Sequence, residues 1–98
     1  NGFGIAHGGI TYSLADSALA FASNSHGQKS VSIETSISHT ESLKENDVII
    51  AEVFEEKCSN KIGIYTIKIT RSSDLKVVAL FKGTVYRTSQ NWLISPED

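Results

Sequence analysis

Gly8 to Ser25 reads GGITYSLADSALAFASNS. Ala and Leu dominate this stretch and no Pro interrupts it, so it is predicted to be helix. At about 100° per residue Ile10, Leu14, Ala18 and Phe21 fall within roughly a quarter turn and form the expected core stripe. Tyr12, Ala15 and Leu19 widen the apolar surface. The remainder (Ser13, Ser17, Ala20, Ser23, Asn24) is small or weakly polar, where a surface helix carries Lys and Glu. The rest of the protein is therefore expected to enclose this helix on most sides. Ser25-His26-Gly27 closes it, with Gly27 free to take the left-handed cap and His26 near the negative end of the dipole.

Beyond Gly27 the period changes to two. Val31, Ile33, Thr35 and Ile37 alternate with Ser32, Glu34, Ser36 and Ser38, predicting a strand over 30–38 with one buried and one wet face. A second strand is expected over 48–57. Ser59-Asn60 turns the chain into a third over 62–70, and Ser72-Ser73-Asp74 into a fourth over 76–87. The fourth should set Val77, Ala79, Phe81 and Val85 against Val78, Leu80 and Tyr86. Short turns make the last three strands an antiparallel meander. Pro96 and the lack of any period after Gln90 predict a frayed tail, with Trp92 packed back on the fold. Strands this long leave exposed edges in so small a chain, so the sheet is expected to continue across a partner. The fold class is α+β, one domain over residues 1–98.

Ninety-eight residues, 40% of them hydrophobic and 20% charged, suit one globular domain and argue against disorder. Nine Lys+Arg against eleven Asp+Glu leave a net charge of −2, without the basic patch that nucleic acid requires. A single cysteine, Cys58, excludes an intrachain disulfide and a zinc-finger spacing, and suits a reducing compartment. No apolar run approaches a membrane span and no signal-peptide pattern opens the chain. There is no methionine, so the chain is expected to come from inside a longer protein.

The charges are unevenly placed. Asp16 is the one charged residue between Asn1 and Gln28. A carboxylate on an otherwise uncharged buried helix loses hydration unless it is bonded or used, and burial should raise its pKa. Satisfaction by Ser13 or Ser17 is the bland alternative. Four glycines precede it. A dinucleotide fingerprint needs a glycine where His7 stands, and a Walker loop needs Lys-Ser/Thr where Ile10-Thr11 stands, so both nucleotide motifs fail. What remains is Gly8-Gly9 at an expected helix start, where free amides and the positive dipole end meet. That pair is an oxyanion hole or a tight packing contact. His7, with no acidic partner nearby in sequence, is a base, a ligand or a cap.

Asn1-Gly2, His7-Gly8-Gly9, Leu14-Ala15-Asp16-Ser17-Ala18, Ala20-Phe21-Ala22 and Asn24-Ser25 together resemble the hot-dog-fold acyl-coenzyme A thioesterases of the phenylacetate-degradation (PaaI) type. The resemblance continues through Val31–Ile37, Asp47–Ala51 and Phe81–Arg87. HGG with an Asp eight residues after its first glycine is its most specific mark. It implies a buried helix wrapped by an antiparallel sheet, a homodimer that can pair into a tetramer, a cytoplasmic location, and neither metal nor redox cofactor. It also implies roles: Asp16 as nucleophile or general base, the Gly8 amide as oxyanion donor, Asn1 as a positioning group and His7 as support. Gly9, Tyr12 and Arg87 are the expected substrate contacts, and the substrate an acyl-coenzyme A with an aromatic acyl group. The family carries a first strand and helix before this Asn that the chain does not show. Two rivals stand beside the hydrolase: a hot-dog hydratase or dehydratase, which would add water to an enoyl thioester without releasing thiol, and a non-enzymatic acyl-coenzyme A sensor or binding module. Cys58, His26 and His39 carry no expected role; Lys68, Arg71, Lys82 and Arg87 could meet the coenzyme A phosphates, but scattered basic residues are more often solvated strand ends, which is the expectation here.

Overall fold

The computed structural model describes residues 3–25 and 27–91. Helix α1 spans Phe3–Asn24 and is followed by β1 (Gln28–His39), β2 (Ile49–Cys58), β3 (Ile62–Arg71) and β4 (Val77–Asn91). The strands form one antiparallel sheet in the order β1-β4-β3-β2, with α1 across one face. The expected meander of the last three strands is present. Asn1, His26 and Trp92 lie outside the described residues, as does the tail beyond Asn91.

Turn chemistry sets the connections. Gly27 takes φ +88° and releases the chain from α1 into β1. Asn46 takes φ 73°, within reach of an asparagine, and the Asp47 carboxylate accepts the Lys44 amide at 2.7 Å beside it. At the β2–β3 turn the Ser59 hydroxyl accepts the Ile62 amide at 3.1 Å. At the β3–β4 turn Leu75 is held at φ 61°, which a side chain as bulky as leucine rarely adopts. It is held there by its amide on the Arg71 carbonyl at 2.8 Å. All four strands run past their expected ends: β1 to His39, β2 to Cys58, β3 to Arg71, and β4 to Asn91 where a frayed tail was expected.

The core lies between α1 and the middle strands. Tyr65, Ile67 and Ile69 of β3 alternate inward, facing Ala79, Phe81 and Val85 of β4. Each large side chain buried there contributes about 1.5–3 kcal/mol. The helix meets them with Thr11, Ala15, Leu19 and Ser23, which corrects the expected stripe. Leu14 and Ala18 are half-buried beside this row, but Ile10 is 43% exposed and Phe21 82% exposed. The arc passing through Ala15 and Leu19, four residues apart, settles the rotation of the helix. Two polar residues enter it because they are bonded: Thr11 shares a 2.9 Å hydrogen bond with His39, and Ser23 reaches the Ala20 carbonyl. In the single chain α1 is thus enclosed on one side, not on most sides.

The helix also starts earlier than predicted. It begins at Phe3, so Gly8 and Gly9 are its sixth and seventh residues. The four free amides of an α-helix fall at its start, here Phe3–Ala6, and the Gly8 amide faces the Gly4 carbonyl in the regular pattern. Phe3, Ile5 and Ala6 propagate helix, and two interior glycines, at about 1 kcal/mol each, weaken it without stopping it.

Strand β1 breaks its own alternation. Thr35 and Ile37 face the helix side opposite Gly83 and Phe81, but the register slips between Ser32 and Glu34. The bulge at Ile33 reverses the order beyond it, so Ser32 pairs with inward Val85 and Val31 pairs with outward Tyr86. Val31 and Ile33 are therefore 52% and 55% exposed rather than buried.

Gly83 is where helix and sheet come closest. A Cβ built there would stand 2.5 Å from Leu19 Cδ2, 3.0 Å from Leu19 Cδ1 and 3.2 Å from the Phe81 ring. Leu19 is buried and has little room to withdraw. Gly83→Ala is expected to cost about 1–3 kcal/mol by overpacking. Leu19→Ala alone should cost about 2–5 kcal/mol by leaving a cavity. In the double variant the new methyl occupies part of that cavity, so denaturant melts should give much less than the sum. Additive costs would show that the two do not touch.

Candidate active site

Asp16 lies on the exposed flank of α1, so the burial expected of it does not occur in the single chain. That flank looks toward β1. Asp16 borders a cavity of about 130 Å³ between the C-terminal half of α1 and β1, with Leu19, Ala20 and Val85 as apolar walls and Ser30 and Ser32 opposite. The helix is pinned along this edge. Tyr12 Oη and Thr35 Oγ1 share a 2.8 Å hydrogen bond, Asn24 Oδ1 accepts the Ser30 amide at 3.0 Å, and the Ser30 hydroxyl donates to the Ser23 carbonyl. Tyr12 also packs edge-on against Phe81, with ring centres 5.5 Å apart. The Ser32 hydroxyl has no hydrogen-bond partner among the described residues, and it stands across the cavity from Asp16. Sequence reasoning placed Ser32 on the wet face. It is exposed, as expected, but the bulge, which leaves no mark in the alternation, sets it on the helix side of the sheet.

The other expected site residues are not gathered around Asp16. Gly8 and Asp16 sit on the same helix eight residues apart, about 12 Å along its axis. His7 and Gly9 flank Gly8 on the same turns of backbone. Asn1 lies outside the described residues. Arg87 pairs opposite Ser30, but its guanidinium Nη1 donates to the Ser59 carbonyl and its amide to the Lys61 carbonyl, clamping the β2–β3 turn. Arg87 Nε is buried with no partner among the described residues.

Two polar clusters lie away from the cavity. Tyr65 is buried with its hydroxyl on Glu55 Oε1 at 3.1 Å; burial first, and then the carboxylate, push that hydroxyl far above the ordinary tyrosine range. Arg71 is no solvated strand end. It binds Asp74 through two hydrogen bonds of 3.0 and 2.8 Å, reaches the Ser42 carbonyl at 2.9 Å, and lies 3.9 Å from both Glu41 and Asp47. The guanidinium bonds hold Asp74 down to about 2. This hub ties the β1–β2 loop to the β3–β4 turn. Lys68 lies 5.7 Å over the Phe54 ring on the outer face, and Lys82 is 3.8 Å from Glu34 there. Among the described residues no helix is long and apolar enough to cross a membrane.

One helix packed on a four-stranded antiparallel sheet is the arrangement of the hot-dog fold. The chain belongs to the Thioesterase superfamily, whose profile matches residues 3–78. A protein of Archaeoglobus fulgidus bearing an esterase name is 41% identical over 92 residues, 94% of this chain and 59% of its own length. The acyl-coenzyme A thioesterase PaaI of Escherichia coli is 34% identical over 87 residues, 89% of this chain and 61% of its own. The solved structure of the E. coli PaaI protein from the phenylacetic acid degradation operon superposes with a TM-score of 0.82 over 87% of this chain and 61% of that one, at 33% identity. A mutant of the phenylacetic acid degradation protein PaaI from Thermus thermophilus gives 0.78 over 84% and 69%, at 35% identity. The chain spans about three-fifths of the curated relatives it matches.

Proposed function

We propose that this chain forms the catalytic part of a dimeric acyl-coenzyme A thioesterase. The observation that carries the reading is Asp16, the only charge before Gln28, standing on the α1 flank that faces β1, an edge strand among the described residues. Membership of the Thioesterase superfamily and similarity to a named acyl-coenzyme A thioesterase support the reaction. In it the Gly8 amide receives the thioester oxygen as negative charge develops there. Receiving it requires the first turns of α1 to open up to Gly8, and the adjacent glycines make that the weakest joint of the helix. Asp16 then attacks the carbonyl carbon or takes a proton from the attacking water. The acyl–sulfur bond breaks and the sulfur leaves as the coenzyme A thiol after protonation; where Asp16 is the nucleophile, water then cleaves the acyl–Asp16 anhydride and frees the carboxylate, and on either route the water oxygen ends in the carboxylic acid. Ser32, across the cavity, is placed to hold that water. Asn1 and His7 support the oxyanion end, Gly9 and Tyr12 line the approach, and Arg87 stiffens the neighbouring turn.

The aromatic acyl group is the finer part of this reading, and it is supported by the phenylacetic acid proteins among the relatives. The test is thiol release from a panel of coenzyme A esters: acetyl, medium-chain, phenylacetyl and hydroxyphenylacetyl. Turnover on every competent ester with the aromatic esters fastest is expected. A fastest acetyl or medium-chain ester would overturn the aromatic preference. No thiol from any ester, with water added to an enoyl-coenzyme A instead, would replace the hydrolase by a hydratase.

A further inference from the structure

The first turns of α1 must open for the Gly8 amide to take the thioester oxygen, and that opening must stop before it spreads along the helix. Apolar burial is not what stops it. Ile10 and Tyr12 are exposed, and the buried residue between them is Thr11, a β-branched residue with less helix propensity than the Ala and Leu further on. From Ala15 and Leu19 onward the inward row packs into the core. The turn that follows the two glycines is tied by side-chain hydrogen bonds instead. Thr11 Oγ1 and His39 Nε2 are 2.9 Å apart, and Tyr12 Oη and Thr35 Oγ1 are 2.8 Å apart, so consecutive helix residues are bonded to positions four apart on β1.

The two ties are not equivalent. Tyr12 keeps its ring against Phe81 whether or not its hydroxyl is bonded. Thr11 has a short side chain, and the exposed imidazole of His39 reaches it from the end of β1. That imidazole stands on settled backbone. His39 pairs with buried Ala79, and the next residue, Thr40, donates its amide to the Val78 carbonyl at 2.9 Å and its hydroxyl to the Val77 carbonyl at 2.6 Å. A neutral imidazole nitrogen can donate to a hydroxyl or accept from it, so either tautomer serves the tie. Thr11 lies three residues past Gly8, about 4.5 Å along the axis, and is the first buried side chain after Gly9. We infer that His39 is a positioning residue for the oxyanion end: its hydrogen bond to Thr11 halts the opening of α1 at Gly9, leaving the Gly8 amide free while the helix from Thr11 onward stays seated on the sheet. This step rests on Gly8 as the oxyanion donor.

Two substitutions remove the bond with little change of shape. His39→Phe keeps a flat ring at the strand end, and Thr11→Val keeps the branched side chain in the core. Each should lower kcat and kcat/KM for thiol release by the same factor, about threefold to tenfold, the worth of one hydrogen bond that serves the transition state and not substrate binding. The double variant should lose no more than either single one. Its melting temperature should stay near the parent's, because both partners are then apolar. A residue that only stabilised the fold would show the reverse, a lower melting temperature with kcat intact. His39→Gln offers an amide nitrogen near the place of Nε2 and should restore most of the lost kcat. Hydrogen exchange reads the same boundary without activity: amides up to Gly9 should exchange faster than those from Thr11 onward in the parent, and the fast segment should extend to Leu14 in the double variant. Unchanged kcat in both single variants, losses that add in the double variant, or an exchange boundary that does not move would each overturn the role of His39. Gly8→Val tells that failure from a failure of the reading beneath it. If Gly8→Val is inactive, only the role of His39 falls; if it turns over at the parent's rate, the oxyanion assignment falls too.

Discussion

Asp16→Ala is expected to lower thiol release by about 10²–10⁴-fold, the range for a lost positioned base, and by at least as much if the carboxylate is the nucleophile. Activity and stability should separate cleanly at this position. Asp16 is exposed, and among the described residues it accepts no hydrogen bond and joins no ion pair. Alanine is also the better helix former by several tenths of a kcal/mol. Thermal or denaturant melts of the variant should therefore match the parent or rise slightly, so the lost turnover cannot be put down to unfolding. Asp16→Asn preserves shape without charge and should be nearly as inactive. Thiol release within threefold of the parent in either variant would remove Asp16 from the chemistry.

The parts of this fold legible in the sequence are those where burial depends on near neighbours in the chain. Tyr65, Ile67 and Ile69, and Ala79, Phe81 and Val85, alternate cleanly because β3 and β4 are central strands. Their turns announce themselves through Ser59-Asn60 and Ser72–Asp74. The helix rotation was misread because hydrophobicity does not say which surface provides the cover: Ile10 and Phe21 are as apolar as core residues, yet this chain leaves them open. The burial of Thr11 and Ser23 escapes hydrophobicity for the converse reason, since a hydroxyl that finds His39 or a helix carbonyl can be buried. At the site, Asp16 stood out as an isolated charge. Ser32 did not, because its place on the helix side of the sheet depends on one extra residue in β1 and periodicity alone cannot show a bulge.

Mixing two dead proteins is expected to restore activity toward half that of the parent. The argument starts from reach. Gly8 and Asp16 are about 12 Å apart along α1, while a nucleophile must come within about 3–3.5 Å of the carbon whose oxygen the amide holds. An Asp side chain extends only a few ångströms from its helix, although it leans toward the N-terminus. One chain cannot close that gap, and an antiparallel helix from a partner closes it twice, once on each side of the axis. Asp16→Ala supplies the first defect. Gly8→Pro supplies the second by removing the amide proton, but in this helix it also removes a hydrogen bond, at about 3 kcal/mol. Gly8→Val is the gentler partner, since it keeps the helix bond and hangs a branched side chain over the amide. Each variant is first shown to fold and dimerise, and the two are then co-expressed with different tags so that mixed dimers can be isolated. With shared sites, a mixed dimer holds one site carrying both defects and one carrying neither, and the intact site turns over at its normal rate. With each site inside a single chain, both sites of the mixed dimer keep a defect and nothing returns. A verified mixed dimer as inactive as its parents would place Gly8 and Asp16 of one chain in the same site, and α1 would then have to bend sharply between them.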